Sequence, residues 1–165
     1  MSSARLVLAA LLIVVAIGGH AYAETKIAAL GASNVAGWKV SRAAAFPAQL
    51  EAKLRKSGHD VRVVNAGVSW DTSLKMLQRI QTDVSGDASI VIPAENVRQV
   101  TNELMPEIER RLQQRGIAVL RVNFRGVPRN LLQQDGIHLT AKGHSYFADQ
   151  LVQQIAPMIK RQQAR

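Results

Sequence analysis

The sequence predicts an α/β domain built around a mainly parallel sheet. Four short runs rich in Ile and Val, a pattern typical of strands covered on both faces, alternate with segments whose apolar residues recur at helical spacing. The length of 165 residues and the apolar content of 47% fit one globular domain. Because strands and helices alternate to the end of the chain, we expect a layered sandwich of sheet and helices.

The predicted strands cover residues 26–30, 61–64, 89–92 and 117–122. In open parallel sheets, ligands bind outside the carboxyl ends of the strands. The residues that directly follow each run are therefore the first candidates for a functional site. Residues 123–134 form the only long loop that we predict.

Four amphipathic segments predict the helices. The first covers residues 46–56 and has a proline suited to its first turn, and the second begins after Thr72. The third covers residues 94–115, where Pro106 is expected to kink the helix or divide it in two. The last begins at Thr140 and carries apolar residues on one side.

Residues 1–23 have the pattern of a secretory signal peptide. Arg5 supplies the positive start, residues 6–17 are uncharged, and residues 21–23 form an A-x-A cleavage site. The alternatives are a buried first helix or a membrane anchor, but the apolar stretch is short for a bilayer. We therefore expect a mature domain of residues 24–165, periplasmic or secreted and with no stable membrane insertion.

Composition excludes several classes of function. The chain has no cysteine, so it has neither a disulfide framework nor a thiolate site. Its 21 basic and 12 acidic residues give a net charge of +9, but aromatic residues do not interleave with the basic ones, so we do not expect nucleic-acid binding. The few His and carboxylate residues do not cluster, which argues against a metal site. The oligomeric state is left open.

Two places in the sequence can carry acyl-transfer chemistry. Ser33 follows the first strand on a strand-to-helix turn, where it is either a nucleophile or a helix cap. Asp135 and His138 follow the long loop, at a spacing that lets the carboxylate orient the imidazole while the other ring nitrogen faces a serine. The alternative for this pair is an Asx-type turn that caps the last helix.

Three segments resemble the sequence blocks of SGNH (GDSL-like) serine hydrolases, in their usual order. They are Ala29-Leu30-Gly31-Ala32-Ser33-Asn34, Asn65-Ala66-Gly67-Val68-Ser69-Trp70-Asp71-Thr72-Ser73 and Asp135-Gly136-Ile137-His138-Leu139-Thr140. The resemblance covers nearly all of the mature chain, and the most similar group is that of the arylesterases, thioesterases and lysophospholipases. It implies a flavodoxin-like three-layer α/β/α sandwich and a small acyl-ester or lipid substrate.

The resemblance also implies roles for individual residues. Ser33 would be the nucleophile, His138 the base and Asp135 its orienting partner. The backbone N–H groups of Ser33 and Gly67 would be donors in the oxyanion hole. No metal or organic cofactor is implied. Trp38, Trp70 and Phe124 are candidates for the border of an acyl pocket, or ordinary core and rim residues.

The sequence departs from the family pattern in three places. Ala32 replaces the aspartate of the G-D-S motif, and Trp70 lies where the family usually has glycine. The G-x-N-D block expected after the third strand looks deleted, because Ile92 runs directly into Pro93. Asn96 is the only nearby candidate for the missing donor, but as a residue of an early helical turn we expect it to face solvent rather than to serve as that donor.

Three functions follow from these departures. The first is an esterase slowed by the loss of one oxyanion donor, which typically costs about a hundred- to a thousandfold in turnover. The second is a non-catalytic SGNH-like protein that binds an acyl or glycan ligand. The third, a flavodoxin-like module that binds phosphate after the first strand, leaves Asp135 and His138 unexplained. Of the other histidines, His59 and His144 are expected at the surface, and Asp71 is expected to cap the second helix.

Overall fold

The computed structural model describes residues 23–96 and 102–164. The predicted signal peptide lies outside the described residues except for Ala23, so it stays a prediction. In the part of the chain that is described, no helix is both long enough and apolar enough to cross a membrane.

The centre of the fold is a parallel sheet with the strand order β2-β1-β3-β4. Each strand lies within one to three residues of a predicted apolar run, although the last is only two residues long. The strands are β1 (Thr25–Gly31), β2 (Val61–Gly67), β3 (Ile90–Pro93) and β4 (Ala118–Val119).

Helices cover both faces of the sheet. One face packs against α2 and α5, and the other packs against α3 and α4. The helices are α1 (Ser33–Ala36), α2 (Phe46–Lys56), α3 (Ser73–Asp83), α4 (Met105–Gln114) and α5 (Ala141–Gln163). Short 3-10 turns cover Arg42–Ala44 and Arg129–Leu131. This arrangement confirms the predicted three-layer α/β/α sandwich.

Local signals in the sequence set the ends of the long last helix. The Thr140 side chain accepts a hydrogen bond from the N–H of Gly143 and so caps α5. Phe147, Leu151 and Ile155 recur at helical spacing and are all buried. Each such burial contributes about 1.5–3 kcal/mol, so this face fixes α5 against α2.

The prediction for the third helix was wrong at its start. Residues 94–96 are not helical, residues 97–101 lie outside the described residues, and α4 begins at Met105 with Pro106 in its first turn. Proline is accommodated there because the first N–H groups of a helix have no partner within the helix. No kink is needed, and Asn96 lies in an irregular segment after β3.

Candidate active site

Ser33 lies where β1 ends and the one-turn helix α1 begins. Two glycines let α1 sit close to the sheet. A Cβ atom at Gly31 would lie 2.3 Å from a Val35 methyl carbon, and one at Gly67 would lie 2.2 Å from the backbone nitrogen of Ala36. Because neither position has room for a side chain, α1 packs onto the ends of β1 and β2 and holds Ser33 at that edge.

The three predicted site residues form one hydrogen-bonded chain. The Nδ1 atom of His138 lies 2.7 Å from Oδ2 of Asp135, and Nε2 lies 2.9 Å from the hydroxyl of Ser33. With Nδ1–H donating to the carboxylate, Nε2 has a free lone pair that accepts the serine hydroxyl. The structure therefore brings Ser33 together with a histidine 105 residues away in the geometry of a nucleophile and its base.

Asp135 uses both carboxylate oxygens. While Oδ2 contacts the imidazole, Oδ1 accepts the backbone N–H groups of Ile137 at 2.9 Å and His138 at 3.0 Å. The backbone N–H and the side chain of His138, together with the N–H of Ile137, hold the pKa of Asp135 well below its ordinary value. The Asx turn that we considered as an alternative is thus present, but it coexists with the imidazole contact, and the cap of α5 is Thr140.

Asn34, the residue after Ser33, holds the backbone on both sides of His138. Its Nδ2 donates to the C=O of Ile137 at 3.1 Å, and its Oδ1 accepts the N–H of Leu139 at 3.0 Å. The Asn34 side chain is buried. Sequence reasoning missed this residue because its partners lie more than a hundred positions away. The polar side chain directly beside Ser33 was the available signal.

Arg79 ties together the strand ends below the site. Its guanidinium donates to the C=O groups of Gly31 at 3.1 Å and Ala66 at 2.9 Å, and to Oδ2 of Asp71 at 2.6 Å. The prediction that Asp71 caps α3 was wrong, since the cap is the Thr72 side chain. Asp71 instead anchors the turn that carries Trp70 by its ion pair with Arg79.

A cavity of about 390 Å³ opens beside Ser33 and His138. Its surface is mainly apolar, and the aromatic residues Trp38, Trp70 and Phe124 are part of the lining. The ring centroid of Trp38 lies 5.8 Å from that of His138 and 6.0 Å from that of Trp70. An apolar cavity with a few convergent polar groups is the usual form of a small-molecule site.

No family model matches the sequence, and no curated protein matches it. Solved structures do match. The psychrotrophic esterase EstA from Pseudoalteromonas sp. gives a TM-score of 0.71 at 14% identity, over 83% of this chain and 100% of EstA. TesA gives a TM-score of 0.67 at 18% identity, over 84% of this chain and 99% of TesA. AlinE4, an SGNH-hydrolase family esterase, gives a TM-score of 0.59 at 23% identity, over 82% of this chain and 96% of AlinE4. The chain has the SGNH-hydrolase fold.

Within this SGNH fold, Gly67 does not lie on the cavity wall. Its N–H donates to Oδ1 of Asn65 at 2.9 Å, so the geometry does not support its expected role as an oxyanion donor. Trp70 does line the cavity, and its backbone is left-handed, with φ of 68°. Among the described residues, the N–H groups of Ser33 and Trp70 have no hydrogen-bond acceptor.

Asn96 lies on the wall of the SGNH cavity, which corrects the expectation that it faces solvent from a helix. Its Nδ2 donates to the C=O of Asp71 at 2.9 Å, beside the Trp70 turn. The side chain of Asn102 pairs with the backbone N–H and C=O of Asn96, at 2.8 and 2.9 Å. Whether the family's G-x-N-D block is deleted stays untested, but an asparagine amide is present at the site.

His59 and His144 lie outside the hydrogen-bonded chain of Asp135, His138 and Ser33. His144 was expected at the surface, and this is wrong, because it is only 1% exposed. Its Nδ1 accepts the N–H of Phe46 at 3.2 Å. Within the described residues, no group of three or more His, Asp or Glu side chains is arranged to hold a metal ion.

Proposed function

We propose that this protein is a serine ester hydrolase that acts through an acyl-serine intermediate. The observation that carries the proposal is the chain of hydrogen bonds from Asp135 through His138 to the hydroxyl of Ser33, on the wall of an apolar cavity. This arrangement serves nucleophilic acyl transfer on several unrelated folds. The similarity to esterase structures agrees with it at the level of the fold.

In the acylation half-reaction, Oγ of Ser33 attacks the carbonyl carbon of the ester while its proton passes to Nε2 of His138. Asp135 stays ionised at neutral pH, since its pKa is lowered, and it stabilises the imidazolium that forms. Collapse of the tetrahedral intermediate breaks the bond to the leaving group, which takes the proton from His138. A water molecule, activated by the same base, then releases the acid and restores Ser33.

We assign the oxyanion hole to the N–H groups of Ser33 and Trp70 and to the Nδ2 group of Asn96. Both backbone groups lie at the cavity without an acceptor among the described residues, and one Nδ2 hydrogen of Asn96 is left after its bond to Asp71. Trp70 thus takes the place that we had given to Gly67. Donors held in advance where negative charge develops are often the largest single contribution to catalysis.

The alternative of a catalytically weakened or inactive binding protein rested on a missing asparagine donor. The position of Asn96 on the cavity wall supports the esterase over this alternative. For the substrate, the proposal is a small carboxylic ester or thioester. For location, it is the periplasm or the exterior, and N-terminal sequencing of exported protein should find Glu24 first; retention of Met1 would contradict cleavage.

The proposal is tested by covalent capture of Ser33 with a fluorophosphonate probe. The esterase EstA has been solved in a form inhibited by monoethylphosphonate, which supports this choice of probe. We expect labelling and hydrolysis of p-nitrophenyl acetate by the mature protein, and a loss of turnover of at least about a thousandfold in Ser33→Ala and His138→Ala.

The matched control is Ser57→Ala, which removes an exposed hydroxyl that only bonds the C=O of Lys53 within its own helix end. This variant should label and turn over like the wild type. Asp135→Asn should lose less activity than Ser33→Ala, because the carboxylate orients the base without bonding to a reacting atom. Wild-type turnover by Ser33→Ala, in a preparation free of other esterases, would overturn the assignment.

A further inference from the structure

Trp70 combines two features that are costly for the free protein. Its φ of 68° lies in the left-handed region, which is uncommon for a residue with a large side chain. Its side chain is 79% exposed, more than any other large hydrophobic residue of the described chain. Strained backbone and exposed aromatic surface both concentrate at functional sites. Lys39, the other such non-glycine residue described, has no aromatic ring to expose.

The indole of Trp70 is held beside the catalytic chain by a second indole. Trp38 and Trp70 meet at an interplanar angle of 78°, with ring centroids 6.0 Å apart. Trp38 in turn lies against the ring of His138. The two indoles are therefore nearly perpendicular walls of the same cavity, next to the hydroxyl of Ser33.

Two perpendicular indoles offer one aromatic face and one aromatic edge to a flat ring. Aromatic pairs prefer offset and edge-to-face contacts to face-to-face stacking, and such contacts are stabilising beyond the burial of apolar area, which is all that a saturated ring of equal size gains. Phe124 extends the apolar lining.

The charges around the cavity disfavour an anionic substrate. Among the described residues, no lysine or arginine side chain lines the cavity, although the whole chain carries a charge of +9. The lining carboxylates Asp71 and Glu95 are paired with Arg79 and Arg121, whose side chains lie outside the lining. A phosphate group beside the ester would thus meet carboxylates and no counter-charge.

We infer that Trp38 and Trp70 form an aromatic subsite that selects uncharged esters carrying an aromatic ring. This inference rests on the proposed function, since the subsite is part of the same cavity. Trp70 would have two roles: its N–H faces the oxyanion and its indole contacts the substrate ring. The exposed indole and its left-handed backbone are explained together, because the turn that exposes the N–H also carries the side chain over the cavity.

Binding can be measured apart from catalysis, because the chain has only two tryptophans and both line this cavity. Tryptophan fluorescence of Ser33→Ala, which cannot form the acyl-enzyme, is titrated with benzyl acetate and with cyclohexylmethyl acetate. These esters have similar leaving groups and differ in the aromatic ring. A second pair, methyl phenylacetate and methyl cyclohexylacetate, places the ring on the acyl side.

We expect the aromatic member of at least one pair to bind roughly two- to tenfold more tightly, and the active protein to show the same preference in kcat/KM. Trp70→Gly and Trp70→Asn remove the indole and suit the left-handed backbone, so neither should unfold the protein. Both should abolish the preference. Tyr146→Leu, which removes an exposed aromatic ring of α5 outside the cavity, should retain it.

Equal binding of both members in both pairs, or a preference that survives both Trp70 variants, overturns the inference. In either case the proposed function stands if Ser33 is labelled by the fluorophosphonate and p-nitrophenyl acetate is hydrolysed. If Ser33 is not labelled while the fluorescence titration still shows the aromatic preference, the proposed function fails and the aromatic subsite remains as a binding site.

Discussion

The buried histidine of α5 should make the protein lose stability on mild acidification. The His144 ring is 1% exposed and packs against the ring of Phe46. Its Nδ1 accepts the N–H of Phe46, and Nε2 has no hydrogen-bond partner among the described residues. A proton on Nδ1 would break the bond to Phe46. Burial, and secondly the nearby His138, lower the pKa of His144 to about 4 from an ordinary value of 6.5.

The sign and the size of the effect follow from these two values. At pH values between the folded and the unfolded pKa, the unfolded chain binds a proton at His144 that the folded protein does not bind. Acid therefore favours unfolding. The stability that the neutral His144 ring contributes is fully present above about pH 6.5 and falls as the pH is lowered to about 4. Below that pH, His144 is protonated in both the folded and the unfolded state. The total loss is about 3 kcal/mol, of which about 2 kcal/mol is lost by about pH 5.

Urea unfolding between about pH 7.5 and pH 4 measures this loss. His144→Gln should flatten the dependence of the free energy of unfolding on pH, because a neutral amide replaces the imidazole. His59→Gln, which removes a histidine from the turn after α2, should keep the wild-type slope. The carboxyl groups with lowered pKa values, Asp135 and Glu107, add to the slope only near the acid end of this range, and the wild type and both variants share that contribution. If His144→Gln keeps the wild-type slope, the assignment to His144 is wrong.

Two further predictions concern the site. Asn34→Ala leaves the buried N–H of Leu139 unpaired, so the free energy of unfolding in urea should fall by about 1–3 kcal/mol. The kcat for p-nitrophenyl acetate should fall on the order of tenfold, with little change in KM. Asn34→Asp keeps the acceptor for Leu139 but sets a buried carboxylate against the C=O of Ile137, so it should be no more stable than Asn34→Ala. Equal kcat in wild type and Asn34→Ala would show that Asn34 does not position His138. Asn96→Ala should lower kcat about a hundredfold with KM nearly unchanged, and Asn96→Asp, which lacks the donor and adds a negative charge beside the oxyanion, should lose at least as much. A loss of kcat below about threefold in Asn96→Ala would show that the oxyanion hole is complete without this amide.

Elements with strong local signals were predicted closely. The first predicted helix, residues 46–56, coincides with α2, whose proline lies in the first turn. The last helix begins after Thr140, as its capping hydroxyl indicated. These ends depend on interactions within a few residues, so the sequence alone carries the information.

Predictions that depended on packing between distant segments were less accurate. His144 was placed at the surface, although it lies three residues before Phe147 and seven before Leu151, on the same face of α5. The helical spacing was the available signal, but the polar residue type was given more weight. Asn96 was placed in a helix because a periodic apolar pattern was extended to residues 94–96, which are not helical.

The sequence by itself determined the order of strands and helices and the residue types that acyl transfer needs. Tertiary structure decided which groups meet. Ser33 and His138 are 105 residues apart, and their contact exists because the ends of β1 and α5 converge at one edge of the sheet. The direction of each N–H group is set by backbone angles and close packing, so the structure pairs the N–H of Gly67 with Asn65, while that of Trp70 has no acceptor among the described residues. A motif names such residues but does not fix the directions of their backbone groups.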